Sequence, residues 1–250
     1  MKDLQTYYQN YVNSSTIATE FDINAQHCLP TLNYGEQCNV KKSPYIGKCN
    51  YDGAGIALSH LYGDLAAGSA VTGHLTTFDQ TPFLPSKPAS LGNTGYIYVP
   101  AACADGSTTC KLHVSFHGCV QDLASIGNQY AADTGFNSWA EANNIIVLYP
   151  YTVASQALGN PNACWDWWGY TGTNYVYQAG AQMKFVSDMI THMRSQPGPT
   201  KQPAVAPTKA PSPTAAPTLP VPTEAPTEKP TSGFVCEEFT ACVWDHYTSG

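Results

Sequence analysis

A strand that runs directly into a glycine turn, within Lys111–Gln121, constrains the fold of this chain more than any other stretch. Val114 and Phe116 flank Ser115, and such alternation is typical of a β-strand. Gly118 follows at once and permits backbone angles that a side chain would forbid, so the turn can be tight. The free N–H groups of such a turn can converge on one point, as in the oxyanion hole of acyl-transfer enzymes. The alternative is a strand that merely ends at a glycine.

The chain after this turn predicts a second strand beside the first. We expect a helix over about 126–143, followed by a strand over Asn144–Pro150. The nearly continuous apolar run of that strand suits burial on both faces. Strand, helix and strand in this order predict a parallel crossover, and hence an α/β fold.

Other elements are expected on either side of this block. We predict a helix over 2–12 and a strand over 16–23. Asp52 can cap a helix that runs to Tyr62. Cys103 and Cys110 bracket a turn, which predicts a hairpin-like pair of the strands at 94–100 and 112–116. A helix over 175–194 is expected to turn one apolar face inward, made of Val176, Ala179, Met183, Val186, Ile190 and Met193.

Charge and cysteine content indicate which partners and which compartment to expect. The net charge is −7 and only 12% of the 250 residues are charged, so a nucleic-acid partner is not expected. No apolar run approaches the length of a membrane span, so no membrane partner is expected. Nine cysteines predict an extracellular protein with disulfides. The segment Met1–Glu20 has no apolar core of a signal peptide, so either the chain is intracellular or its true start is missing.

Composition divides the chain into three parts. Residues 1–196 hold the α/β pattern. Eleven of the nineteen prolines lie within 197–232, interleaved with Thr and Ala, which predicts a disordered linker in a largely extended conformation. Residues 233–250 contain Cys236, Cys242 and a tryptophan. They are too few for a domain, and we interpret them as the first piece of a truncated C-terminal module.

Two loops contain candidate functional residues. His27 lies in the loop after the predicted strand 16–23, where α/β enzymes place catalytic side chains, although a lone loop histidine is more often simple surface. The segment Asn160–Gly169 concentrates Trp165, Trp167 and Trp168 within four positions. An aromatic-lined cleft and a small satellite core both explain this cluster.

A metal site is not expected. His113 and His117 lie four residues apart on a strand and so share a face. No nearby cysteine or carboxylate completes a ligand set. Asp166, within the tryptophan cluster, is interpreted as a side chain that organises its loop.

Several motifs together carry a resemblance to a known family. The sequence Leu112–Cys119 with Gln121 resembles the oxyanion segment of extracellular poly(3-hydroxybutyrate) depolymerases. The similarity extends over residues 1 to about 194, through the segments Ser43–Tyr45, Cys49–Gly55, Gly95–Pro100, Leu148–Pro150 and Asn160–Trp167. It is greatest to the single-domain fungal type, which implies a partial, circularly permuted α/β-hydrolase-like sheet with flanking helices.

The resemblance implies roles for single residues. His27 takes the position of the catalytic histidine, the general base that activates a serine. Cys119 takes the position of a backbone N–H donor of the oxyanion hole. Asn160 and Trp165 take positions that line the polyester cleft. The resemblance also implies three disulfides, Cys38–Cys49, Cys103–Cys110 and Cys119–Cys164. A fourth, Cys236–Cys242, is a guess from proximity, and Cys28 is left unpaired at a position where the family has no cysteine.

The family's nucleophile is missing from this sequence. No Gly-x-Ser-x-Gly motif occurs, and in the family both this motif and the catalytic Asp precede the histidine. We therefore expect the C-terminal portion of a secreted serine esterase that hydrolyses poly(3-hydroxybutyrate)-type polyester and is inactive alone. One alternative is a non-catalytic polymer- or polysaccharide-binding protein that uses the tryptophan cluster. Another is a feruloyl or acetyl-xylan type of cell-wall esterase. We expect a monomer without a cofactor.

Overall fold

A five-stranded sheet organises the protein. The computed structural model describes residues 2–195 and the strand at 236–242. The strand order is β4-β5-β7-β6-β8, and β6 and β7 run parallel, which confirms the predicted α/β class. The strands are β4 (His74–Asp79), β5 (Thr94–Val99), β6 (Cys110–Ser115), β7 (Ile145–Tyr149) and β8 (Cys236–Cys242).

The expected hairpin of β5 and β6 is wrong. Strand β7 lies between them, antiparallel to β5 and parallel to β6. The disulfide Cys103–Cys110 does form, but it closes the connection between two strands that are not neighbours. All five residues of β7 are buried, because this apolar strand gains most by occupying the centre of the sheet.

Two apolar cores lie on the two faces of the sheet. On one face Ile145, Val147 and Tyr149 pack against helices α2 (Gly53–Tyr62) and α5 (Phe136–Asn143). On the other face the alternate residues Ile146 and Leu148 pack against α6 (Ala181–Ser195), which contributes Phe185, Met189 and Met193.

The helix expected over 126–143 is three short helices. These are α3 (Leu123–Ile126), α4 (Gln129–Asp133) and α5. Gly127 and Gly135, with φ of 63° and 95°, lie at the breaks. A positive φ interrupts an α-helix, and glycine adopts it at little cost.

The helix α2 confirms the expected cap. The side chain of Asp52 accepts from the N–H of Gly55 at 2.9 Å, and the helix ends at Tyr62 before Gly63. Gly55 lies directly against Trp139, since an added Cβ would be 2.4 Å from the indole. The indole N–H also donates to Asp52 at 2.8 Å, which locks α5 onto α2.

Three expected elements differ in the structure. The first helix, α1, spans only Lys2–Tyr8 and buries no residue. The stretch 16–23 is irregular rather than a strand. Helix α6 begins at Ala181, so Val176 of the expected inward face precedes the helix and is 58% exposed. Met183 lies within the helix but on its outer side, and is 51% exposed. A pattern of apolar residues indicates a face only where the chain packs against a partner.

A small parallel sheet precedes the main one. Its strands β1 (Leu29–Thr31), β2 (Glu36–Gln37) and β3 (Ile46–Lys48) are ordered β1-β3-β2. The disulfide Cys38–Cys49 joins the residues that follow β2 and β3. This sheet holds the segment that contains His27.

The tail contributes one strand, β8, which pairs in parallel with β6. An extended strand of this length separates its ends by about 20 Å, whereas a disulfide needs Cα atoms within about 7 Å. The guessed bond Cys236–Cys242 is therefore incompatible with this strand. The expected linker and the rest of the tail lie outside the described residues. Within the described part of the chain, no helix has the length and apolar character to cross a membrane.

Candidate active site

The turn after β6 presents one backbone N–H that its own structure does not use. The N–H of Gly118 donates to the side chain of Gln121 at 2.7 Å, and that of Val120 donates to the carbonyl of Asn162 at 2.7 Å. Between them, the N–H of Cys119 donates to no acceptor among the residues that the structure describes. Fixed neighbours and an unused donor are what an oxyanion site requires.

A disulfide connects this turn to the tryptophan loop. Cys119 is bonded to Cys164, the residue before Trp165. On either side of the bond Val120 and Ala163 have φ of 53° and 50°, a left-handed conformation that is strained for residues with a Cβ. The surroundings must hold both turns in place, and the disulfide and the Val120–Asn162 hydrogen bond do so.

Asn160 organises the tryptophan loop from within. Its side chain is fully buried. The amide oxygen accepts from the N–H of Cys164 at 2.9 Å, and the amide nitrogen donates to the Cys164 carbonyl at 2.9 Å. The same nitrogen lies 3.1 Å from Ser90 Oγ and from Tyr170 Oη. In this structure Asn160 therefore supports the predicted cleft and exposes no surface to it.

Trp165 forms the aromatic wall beside the turn. Its ring is half-buried. The ring centroid lies 5.0 Å from that of Phe116, in an edge-to-face arrangement, and 6.0 Å from that of His117. Its indole N–H is buried and has no acceptor within the described residues. Trp165 and the unused N–H of Cys119 are held together by the Cys119–Cys164 bond.

His117 is a buried connector that the sequence analysis considered only as a metal ligand. Its Nδ1 donates to the carbonyl of Gly118 at 2.7 Å, and its Nε2 accepts from the N–H of Thr152 at 3.2 Å. Burial lowers the pKa of His117 to about 4, so the ring is neutral at neutral pH, as this pair of bonds requires. Thr152 in turn donates its hydroxyl to Ala163 at 2.5 Å. His117 thus connects the turn, the end of β7 and the tryptophan loop.

His113 and His117 pack against different aromatic rings. The buried ring of His113 packs against Phe136, with ring centroids 5.4 Å apart, and against Tyr62, at 6.1 Å. His117 stacks instead on Tyr151 at 4.8 Å. Among the described residues no group of three or more His, Cys, Asp or Glu could hold a metal ion.

His27 lies half-buried just before β1. Burial, and second the positive charge of Lys41, lower the pKa of His27, so it is neutral and able to accept a proton at neutral pH. Its segment and the turn at residues 117–121 meet at one carbonyl. Tyr45 O accepts from the N–H of Leu29 at 2.9 Å and from the side chain of Gln121 at 3.2 Å.

The tryptophan loop continues into an exposed aromatic surface. Asp166 accepts hydrogen bonds from four successive backbone N–H groups, Trp168 to Thr171, and from the Thr171 hydroxyl. This confirms the interpretation of Asp166 as a loop organiser. Trp167 and Trp168 are 52% and 40% exposed, with ring centroids 5.0 Å apart. The cluster is therefore a surface rather than a satellite core.

Sequence reasoning missed Thr152 and did not explain Gln121. Thr152 follows the buried strand β7 by three residues, which is the kind of position where α/β proteins place functional groups. It also borders a cleft of about 350 Å³ between segments 92–94, 122–124 and 151–154. Its position, a polar residue just beyond the end of a buried strand, is the sequence signal that could have identified Thr152.

Comparisons with known proteins give a consistent answer. No family model matches the sequence. The chain is 42% identical over 207 residues to the poly(3-hydroxybutyrate) depolymerase of Delftia acidovorans, which covers 81% of this chain and 41% of that protein. It is 39% identical over 209 residues to the polyhydroxybutyrate depolymerase of Talaromyces funiculosus, over 78% of this chain and 61% of that protein.

Solved structures agree with these relatives. The crystal structure of PHB depolymerase from Penicillium funiculosum superposes with a TM-score of 0.72 at 37% identity, over 76% of this chain and 64% of the other. A serine-to-alanine variant of a PHB depolymerase, complexed with an R3HB trimer, gives the same TM-score at 38% identity and the same coverage. The chain thus spans less than two thirds of each of these proteins.

Proposed function

We propose that this chain, which is similar over about four fifths of its length to poly(3-hydroxybutyrate) depolymerases, forms the part of a polyester esterase that holds the general base, an oxyanion donor and the aromatic wall of the substrate cleft. The observation that carries this proposal is the unused N–H of Cys119, set between two bonded neighbours and tied by a disulfide to the segment of Trp165.

Each of these residues has a distinct role in the proposed reaction. His27, neutral at neutral pH, accepts the proton of a serine hydroxyl as that serine attacks the ester carbonyl. The N–H of Cys119 donates to the oxygen of the tetrahedral intermediate, where negative charge develops. Trp165 packs against the apolar face of a 3-hydroxyalkanoate unit. Asn160 maintains the loop that positions Trp165.

The chain by itself is proposed to bind this ester but to turn it over poorly, because it contains no Gly-x-Ser-x-Gly motif. Hydrolysis of a short-chain chromogenic ester tests this directly. Turnover well above background that a serine-directed inhibitor abolishes would contradict it.

Binding of an (R)-3-hydroxybutyrate trimer, measured by calorimetry, tests the substrate class. We expect Trp165→Ala to weaken binding about tenfold, since burial of an apolar ligand face against the indole contributes on the order of 1.4 kcal/mol. Tyr11→Ala, which removes an exposed aromatic ring from the N-terminal segment, is the matched control and should bind like the parent. If the Trp165→Ala protein bound the trimer as tightly as the parent, Trp165 would not form a wall of the substrate cleft.

A second function, adsorption to a polymer surface without cleavage, is favoured by the exposure of Trp167 and Trp168. Sedimentation with polyester granules measures it. Loss of adsorption in a Trp167→Ala/Trp168→Ala protein that still binds the trimer would assign the two functions to separate residues. Unchanged adsorption would exclude this surface.

We also propose an extracellular location. Three disulfides join cysteines within the range 2–195. Disulfides of this kind persist in oxidising compartments and are rare in the cytosol.

A further inference from the structure

Three cysteine sulfurs lie together on the small sheet, although only two of them are bonded. Cys38 and Cys49 form a disulfide, and Cys28 has a free, half-buried thiol. A Cβ added at Gly47 would lie 2.4 Å from Cys28 Sγ and 3.3 Å from Cys49 Sγ. The sum of these two distances is the largest separation possible, so the sulfurs of Cys28 and Cys49 are within roughly 6 Å, and at most about 4 Å more than the length of an S–S bond separates them.

The local backbone explains this proximity. Strands β1 and β3 are paired in parallel, with Leu29 opposite Ile46, so Cys28 comes just before the paired residues. Gly47 and Cys49 are two residues apart and project to the same face of β3. Because Gly47 has no side chain, the sulfur of Cys28 occupies the space above it. Rotation about χ1 moves a cysteine sulfur by about 3 Å, which is most of the remaining gap.

We propose that Cys28, Cys38 and Cys49 form a thiol–disulfide exchange site in which Cys28 attacks the sulfur of Cys49. The Cys28 thiol loses its proton to solvent, and its sulfur forms a bond with Cys49 Sγ as the Cys38–Cys49 bond breaks. Cys38 leaves as a thiolate and takes up a proton. One thiol and one disulfide exist before and after, so the step needs no external oxidant or reductant.

Solvent reaches the leaving sulfur. Cys38 and Cys49 line an open cleft of about 370 Å³, together with Asp22, Ile23, Asn24 and Asn39. Burial raises the pKa of the Cys28 thiol, which keeps the reactive thiolate scarce at neutral pH. The exchange is therefore slow at neutral pH, and Cys38–Cys49 is the bond present in the folded structure.

The exchange would act on the candidate base. Cys28 follows His27 directly, and the N–H of Gln26 donates to the Cys38 carbonyl at 2.8 Å. A bond from Cys28 to Cys49 would fasten the His27 segment to β3 and free Cys38. The pairing of the three cysteines would therefore change how the segment that contains His27 is attached to the small sheet. This inference goes beyond the proposed esterase role and does not depend on it.

Disulfide mapping of the full chain tests the proposal without any activity measurement. The unreduced protein is incubated at about pH 8.5, where thiolate is more abundant than at neutral pH, and samples taken over time are treated with excess iodoacetamide and digested without reduction for mass spectrometry. We expect label on Cys38 to increase with time, together with a peptide that links Cys28 to Cys49. Label on Cys28 alone, with Cys38–Cys49 intact after days, would overturn the proposal. Label on Cys49 would contradict the attacked sulfur that we assign.

Two variants sharpen this test. Cys28→Ser removes the attacking thiol, so Cys38 should stay unlabelled under the same conditions. Cys38→Ser removes the competing partner, so Cys28 and Cys49 should join in a glutathione redox buffer. Two free thiols in the Cys38→Ser protein, under conditions that keep Cys103–Cys110 oxidised, would show that the sulfurs cannot meet.

Discussion

The side chain of Gln121 binds the backbone N–H of Gly118 at 2.7 Å and so shapes the turn in which Cys119 lies. The other end of the same amide donates to the carbonyls of Pro44 and Tyr45 at 2.9 and 3.2 Å. One fully buried side chain therefore fastens the turn at residues 117–121 to the segment between His27 and β3.

Replacement of this side chain should loosen the turn. Gln121→Glu keeps an acceptor for Gly118 but loses both donations and buries a charge, so we expect the free energy of unfolding to fall by about 3 kcal/mol. Denaturant unfolding measures the loss, and faster hydrogen exchange at Gly118 locates it. Gln156→Glu, on an exposed residue, is the control and should change stability little. Equal effects of the two substitutions would contradict a special role for Gln121.

The disulfides should contribute unequally to stability. Cys119–Cys164 closes a loop with a sequence separation of 45, and Cys103–Cys110 one of only 7. In the chain-entropy description these loops correspond to about 4 and about 2 kcal/mol. We expect the Cys119→Ala/Cys164→Ala protein to unfold at a lower denaturant concentration than the Cys103→Ala/Cys110→Ala protein. The reverse order would indicate that native-state contacts, rather than loop closure, dominate.

Acid should destabilise the fold through two histidines. Burial lowers the pKa of both His113 and His117 from 6.5 to about 4. Between pH 6.5 and pH 4 the unfolded chain therefore binds protons that the folded chain does not bind. The free energy of unfolding that is present above pH 6.5 is lost as the pH falls toward 4. The loss is at most about 3 kcal/mol for each histidine. Unfolding measured from pH 7 to pH 4 should show it.

A variant separates this effect from general acid denaturation. His113→Leu removes one buried titrating group whose two nitrogens have no partner within residues 2–195, so the pH dependence should become shallower. His74→Leu, on exposed strand β4, should keep the slope of the parent. A slope unchanged by His113→Leu would exclude His113 as a source of the acid sensitivity.

Asn160 should tolerate no change of its amide nitrogen. In Asn160→Asp an oxygen replaces the donor that faces the Cys164 carbonyl, and a carboxylate is buried, so we expect a loss of about 3 kcal/mol at neutral pH. Quenching of tryptophan fluorescence should also increase as the loop opens. Asn128→Asp, exposed before α4, should be nearly neutral. If Asn160→Asp proved equally neutral, the hydrogen bonds to Cys164 would not be what holds the loop.

The sequence predicted the elements that depend on local pattern. The continuous apolar run of β7, the alternation in β6 and the cap of Asp52 on α2 are all seen. These features survive because neighbours a few residues away decide them.

Prediction failed where distant segments decide. The stretch 16–23 has strand-like composition but no strand beside it, and so remains irregular. The apolar pattern over 126–143 continues through Gly127 and Gly135, whose positive φ values divide the helix. The roles of His27 and Cys119 still rest on the resemblance and on the geometry around them, and stay predictions.

The sequence by itself determined the α/β class, the buried strands, the aromatic loop and the family resemblance, because hydrophobic pattern and motif are local properties of the chain. Only the tertiary structure decided that β7 separates β5 from β6, that His117 joins Gly118 to Thr152, and that Cys28 lies over Gly47 beside a disulfide. Each of these contacts joins residues far apart in the chain or, at Gly47, depends on the space left because glycine has no side chain. Which of many such contacts forms depends on the free energy of packing the whole domain, and no short stretch of sequence contains that information.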